Sequence, residues 1–286
     1  MTTANQERLE RLSVNQRTVP RLSLPELADR CARLGIDAVG LWREPVAEYG
    51  LDRTASLVKD AGLRVSSLCR GGFLTAEDAG QRQAAIDDNL HALDEAAQLQ
   101  ADCLVLVVGG IPAGSTDLLG ARQRLAEALT VLTPAARERG VQLALEALHP
   151  MYCADRSVLS TLRQALDLAE STSPDGGFAD DPTIGVVVDA YHVWWDPDVW
   201  SAIRAAGPRI LSFQVCDWIL PLAADVLLAR GMMGDGQIDL RALRSAVDAA
   251  GYTGDIEVEI FNQDLWDADP DQVLATMVQR YQDCVL

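Results

Sequence analysis

The sequence predicts a single-domain (β/α)₈ TIM barrel, an α/β fold. Three observations carry that reading: short apolar runs recur eight times, amphipathic stretches separate them, and the late runs end on acidic or amide residues. Strands apolar on both faces belong to parallel sheets covered by helices. From Gln16 to Glu259 the steps average about 35 residues, in keeping with a barrel of roughly 250 residues.

In order, the runs are Leu12–Thr18, Ala38–Trp42, Val65–Cys69, Cys103–Val108, Gln142–Glu146, Ile184–Asp189, Ile210–Gln214 and Ile256–Glu259. Between them, Leu24–Leu34, Gln81–Leu99, Leu118–Arg139, Ser157–Leu168 and Leu240–Ala249 carry apolar residues three and four apart, the helical period. Gly35, Gly62, Gly140 and Gly251 stand where a helix should stop before a strand. A doubly wound open sheet would place a glycine-rich loop after the first strand, and Asn15-Gln16-Arg17-Thr18 is not one. Thr172–Asp181, rich in Ser, Asp, Gly and Pro, reads as a loop before the sixth strand. No linker divides the chain, and residues 1–11 read as a peripheral extension.

The net charge of −18 argues against a nucleic-acid partner, because replacing counterions takes Lys and Arg. It also gives an anionic membrane surface nothing to attract. No apolar stretch reaches the roughly 18 residues of a span, and the N-terminus lacks a signal-peptide pattern, so the expected location is cytoplasmic. The six cysteines form no CxxC or Cys/His cluster, which excludes the usual structural zinc sites. A homo-oligomer is compatible with all of this.

Barrel active sites gather where strand C-termini meet the following loops. The last four strands end there in Glu146, Asp189, Gln214 and Glu259. A carboxylate buried alone is costly, and three in succession repel one another. One divalent cation relieves both penalties. Oxygen donors without thiolate favour Mn²⁺ or Mg²⁺ over Zn²⁺, with Co²⁺ as a further option. Glu257 shares the side-chain parity of Glu259; the latter is preferred as ligand because it lies closer to the strand end.

The segments Leu-Glu146-Ala-Leu-His-Pro, Val-Asp189-Ala-Tyr-His192, Gln214-Val-Cys-Asp217, Gly231–Leu240 and Glu-Val-Glu259-Ile-Phe, in that order, resemble the sugar phosphate isomerase/epimerase-like family, the xylose-isomerase-like TIM barrels. The resemblance implies metal ligands at Glu146, Asp189, Gln214 and Glu259, with Glu146 and Glu259 also acting as opposed acid and base. The family's third ligand is usually His; here it is Gln214, a form similar to the hydroxypyruvate isomerase branch. The resemblance also implies substrate contacts at His192, Arg230, His149 and Asp217. Trp42 and Trp194, with the other four tryptophans, are expected at the rim, as pocket walls or as packing. Arg43, Glu44 and Arg70 follow the second and third strands as weaker candidates.

The implied chemistry is a metal-dependent keto-sugar isomerisation or epimerisation through an enediolate. Elimination from an oxidised sugar, such as an inosose or a 3-keto-glycoside, starts with the same proton abstraction. A small-molecule keto-sugar or oxidised glycoside is thus the expected partner. A non-catalytic sugar-binding barrel is the remaining alternative. The related apurinic endonucleases need more zinc-binding histidines than the three present.

Overall fold

Eight parallel strands close into one barrel: β1 (Leu12–Asn15), β2 (Ala38–Trp42), β3 (Arg64–Gly72), β4 (Cys103–Val107), β5 (Gln142–Glu146), β6 (Ile184–Asp189), β7 (Ile210–Val215) and β8 (Ile256–Val258). The computed structural model describes residues 9–173 and 182–286. Each strand pairs with its sequence neighbour, and β8 closes the ring on β1 through Leu12↔Ile256 and Val14↔Val258. Of the residues 1–11 read as an extension, 1–8 lie outside the described residues. Leu9 is buried, and Arg11 donates to Gly254 O and Asp248.

The helix Leu24–Leu34 shows how local chemistry shapes the outer layer. Ser23 starts it, its N–H and hydroxyl both donating to Glu26, and Pro25 sits in the first turn, where its missing N–H costs nothing. Leu24, Leu27, Ala28 and Cys31 turn one face to the barrel. Gly35 ends the helix at φ 69°, where a residue with a Cβ would cost roughly 1–2 kcal/mol. Burying one such leucine contributes about 1.5–3 kcal/mol, so the apolar face outweighs any single cap.

Several boundaries differ from those read in the sequence. The first strand stops at Asn15, because the Asn15 side chain caps a 3₁₀ turn over Gln16–Thr18. The third runs longer, through Gly71 and Gly72, which pair with Leu106 and Val107. The helix expected from Ser157 starts at Leu162 instead. Thr161 caps it, and Ser157 is buried, bonded to Leu159. That helix continues to Thr172, so the loop read over Thr172–Asp181 begins later, and its residues 174–181 lie outside the described residues. Glu259 lies one position past β8 and donates its N–H to Val215 O.

No helix among the described residues is long and apolar enough to cross a membrane.

Candidate active site

At the C-terminal ends of the strands lies a cavity of about 290 Å³. Glu146, His192, Gln214, Arg230 and Glu259 line its polar side, and Trp42, Leu148, Phe261 and Trp266 its apolar side. Strand register explains the convergence. Asp189 pairs with Gln214 across β6 and β7, and Gln214 pairs with Glu257 across β7 and β8.

Arg230 is the centre of the polar cluster. It is only 4% exposed, and its Nη1 lies 3.0 Å from Asp189 Oδ2 and 3.1 Å from Glu259 Oε2. Two of the expected metal ligands are therefore bridged by a guanidinium. A loop built for the purpose delivers it. Asp217–Trp218 pairs antiparallel with Arg230–Gly231. The Asp217 carboxylate accepts N–H groups from Trp218, Gly234 and Ile238 at 2.8–3.0 Å. Asn262 holds the Arg230 carbonyl, while the rings of Tyr191 and Phe261 lie 5.0 and 5.2 Å from the guanidinium.

His192 is fully enclosed. Its Nδ1 accepts the His149 backbone N–H at 3.2 Å, and a neutral imidazole has only one ring lone pair. The proton consequently sits on Nε2, which faces Asp189 Oδ2 at 3.7 Å and Glu146 Oε1 at 3.9 Å. Arg230 Nη2, 3.1 Å from Nε2, then meets it donor to donor and adds no hydrogen bond. Burial, together with the charge of Arg230, holds the His192 pKa well below its ordinary range.

The carboxylates are pushed the other way. Burial raises Glu146 well above the usual carboxylate value, and Asp189 and Glu259 add to the shift. Asp189 is also raised by burial, against the pull of Arg230. Glu259 is pushed up to about 8, by burial first, with Arg230 opposing. One guanidinium is too little positive charge for this group of acids.

Glu257 lies deeper and is fully satisfied. It accepts from Asn15 Nδ2 at 2.7 Å, Ser66 Oγ at 2.7 Å, Ser67 Oγ at 2.8 Å and Gln214 Nε2 at 3.1 Å. Gly40 on β2 makes room, since a Cβ there would stand 2.5 Å from the Glu257 carboxyl carbon. With its amide nitrogen held by Glu257, Gln214 presents Oε1, a buried atom with no hydrogen-bond partner among the described residues. Glu259 Oε1 is the second such oxygen on the cavity wall. Two orphaned buried oxygens, beside acids that one arginine does not neutralise, fit an oxygen-coordinated cation. Glu146, Asp189 and His192 also bring ligand atoms within 4.8 Å of one another.

Several other residues singled out in the sequence do not reach the cavity. Asp217 has its carboxylate occupied by the loop. His149 stacks on Trp218 at 5.0 Å, and its Nδ1 accepts from Met151 N. Trp194 packs on Trp218 at 5.5 Å, so both belong to a rim cluster behind the cavity. Trp200 is exposed on the helix Val199–Ala206, away from the strand ends. Arg43 faces outward to Asp88 and Glu95. Arg70 and Glu44 do line the cavity, as do Arg17, Tyr152, Arg156 and Phe261, which were not singled out. Arg17 and Phe261 follow the ends of β1 and β8, so the strand-end rule applied to all eight strands would have found them.

The sequence profile of xylose isomerase-like TIM barrels matches residues 28–283. The chain belongs to that family. A crystal structure of a Sinorhizobium meliloti protein superposes on this xylose isomerase-like barrel with a TM-score of 0.92 at 47% identity, covering 96% of this chain and 98% of that one. The 3-dehydroshikimate dehydratase of Pseudomonas putida is 29% identical over 262 residues, which are 86% of this chain and 38% of the dehydratase. This chain thus spans well under half of that relative. The L-ribulose 3-epimerase of Mesorhizobium japonicum is 26% identical over 269 residues, covering 82% of this chain and 84% of the epimerase.

Proposed function

We propose that this barrel is a divalent-cation-dependent enzyme that moves a proton on the carbon beside a ketone of a small polyhydroxy substrate. The reaction is that of a sugar isomerase or epimerase. The observation that carries the reading is the pair Glu146 and Glu259. Both are buried, both line one cavity, and burial raises the pKa of both, that of Glu259 to about 8, which lets a carboxyl take a proton and give it back. They stand on strands separated by two others and so approach a bound substrate from different sides of the rim.

Glu146, Asp189, Gln214 and Glu259 would hold the cation, which when bound lowers the cost of negative charge on the substrate oxygens. Mn²⁺ or Mg²⁺ suits this oxygen set. His192, with its proton on Nε2, donates to a substrate oxygen and offers the cation no lone pair. For epimerisation one glutamate removes the α-proton and the other, starting protonated, delivers its own to the opposite face. For isomerisation a proton is returned to the neighbouring carbon while the hydroxyl proton passes to the former carbonyl oxygen. Arg230 and His192 supply N–H donors where oxyanion charge develops. Trp42, Phe261 and Trp266 keep water from the reacting carbon.

Elimination is the second reading, favoured by the match to a dehydratase across most of this chain. Loss of water beside a ketone starts with the same deprotonation, and the partner carboxyl then protonates the departing hydroxyl. A sugar-binding barrel without catalysis has no use for two buried acids of raised pKa. The deciding experiment is incubation of a keto-sugar panel in D₂O with added Mn²⁺, read by NMR. Deuterium at the α-carbon is expected, with or without net turnover. A panel that shows neither exchange nor turnover overturns the proposal.

A further inference from the structure

We infer that the substrate carries an anionic group, a carboxylate or a phosphate, gripped at the cavity mouth by Arg17, Arg70 and Arg156. The inference rests on reading this cavity as the substrate site. The chain has 42 acidic and 24 basic residues, and its arginines mostly meet carboxylates; Arg43, for example, holds two, Asp88 and Glu95, at 2.9 and 2.6 Å. The cavity inverts that balance. Arg17, Arg70, Arg156 and Arg230 line it against Glu44, Glu146 and Glu259.

Arg230 is engaged at the base, whereas of the three mouth arginines one has no carboxylate partner among the described residues and two have only exposed ones. Arg70 has no carboxylate within ion-pair distance among the described residues, and its guanidinium lies 4.4 Å from the Phe73 ring centre. Arg17 reaches only the half-exposed Glu44, at 3.4 Å, and its Nε is buried without an acceptor. Its guanidinium lies 4.6 Å from the Trp42 ring centre. Arg156 has only the neighbouring Asp155, exposed and 3.6 Å away, a pairing that solvent screens. An aromatic face under a guanidinium fixes its plane and leaves the in-plane N–H fork open, the geometry that recognises carboxylate and phosphate oxygens.

The three come from separate parts of the rim: the turn after β1, the end of β3 and the loop after β5. A ligand that closes the mouth strips water from all three, and a neutral sugar would leave their donors unmatched. Their field also offsets, locally, the repulsion that a chain of charge −18 exerts on an approaching anion. The cavity of about 290 Å³ is small for a ligand site, which suits one ring with a single charged substituent and not a disaccharide.

Isothermal titration of the full chain with myo-inositol, myo-inositol 1-phosphate and quinate tests this, because these rings differ in the charged group. At least one anion should bind tenfold or more tightly than myo-inositol, and more weakly as salt rises. The tighter anion identifies phosphate or carboxylate as the group read. Arg70→Gln and Arg156→Gln should each weaken that anion about tenfold, with folding checked by circular dichroism. Equal binding of myo-inositol, unchanged binding in both variants, or no binding of any ring at about 10 mM overturns the inference. These titrations need no turnover. Failed deuterium exchange with retained anion binding sinks only the proposed reaction, and the reverse result sinks only this inference.

Discussion

Burial raises the pKa of Glu146 and pushes that of Glu259 up to about 8, so the metal-free protein should lose stability as pH rises toward 8. A carboxyl whose folded pKa is raised binds more protons in the native state, and stability then falls with pH until the folded pKa is passed. His149 and His192, lowered from 6.5, act oppositely, mostly below about pH 7, which leaves 6.5 to 8 as the window in which the carboxyls dominate. Each retained proton contributes about 1.4 kcal/mol per pH unit, so one carboxyl accounts for about 2 kcal/mol across the window. At about 2–4 °C per kcal/mol for a large domain, Tm should drop by about 4–8 °C. The assay is thermal unfolding of chelator-treated protein at intervals from pH 6.5 to 8, repeated with excess Mn²⁺. The cation should flatten the profile by holding the carboxylates ionised, and should stabilise most at the alkaline end. A flat or rising metal-free profile would refute the buried, protonated pair. A Mn²⁺ profile that overlays the chelated one would refute the cation site.

Glu146→Gln and Glu259→Gln should each lower kcat by about 10²-fold or more with an unchanged circular dichroism spectrum, since general acid–base catalysis is worth that much. Variants within threefold of the parent would move the acid–base role to His149 or His192. Gln214→His should shift metal preference toward Co²⁺ or Zn²⁺, as an imidazole replaces an amide oxygen; competitive metal titration of both proteins decides it. Gly40→Ala forces a methyl against the Glu257 carboxyl, and the midpoint of urea unfolding should show a loss of about 2 kcal/mol or more.

Much of the barrel was legible because its strands are apolar on both faces, and such runs stand out wherever glycine or a polar end bounds them. The errors fell where a side chain bonds to its own backbone. Asn15 turns the chain into a 3₁₀ helix within what reads as a continuing strand. At the late helix the useful signal was Thr161 with Gln164, whose side chain reaches back to Ser160 N. Ser157 offers the same capping chemistry one turn earlier, and its hydroxyl is instead bonded to Leu159 O. The strand-end acids are readable because position alone marks them. Arg17, Arg70 and Arg156 reach one mouth from distant loops, and no spacing in the chain records that. The engagement of Arg230 by Asp189 and Glu259 is equally invisible, since a loop arginine looks solvated until the loop's fold is known.

The bond between Glu257 and Gln214 has a consequence for what the rim can recognise. The two ends of a primary amide are nearly equal in size, so packing alone does not say which end faces a ligand. Glu257, as a carboxylate, offers only lone pairs to Gln214, and so admits the nitrogen and turns the oxygen outward. It works as a polarity key: whether position 214 gives or takes a hydrogen bond is written one layer below the surface that a ligand meets. Two relatives with identical rim residues but different residues at the key would present opposite faces to the same substrate. In this chain the hydrogen-bonding polarity of position 214 on the cavity wall is therefore set by a residue that does not itself line the cavity.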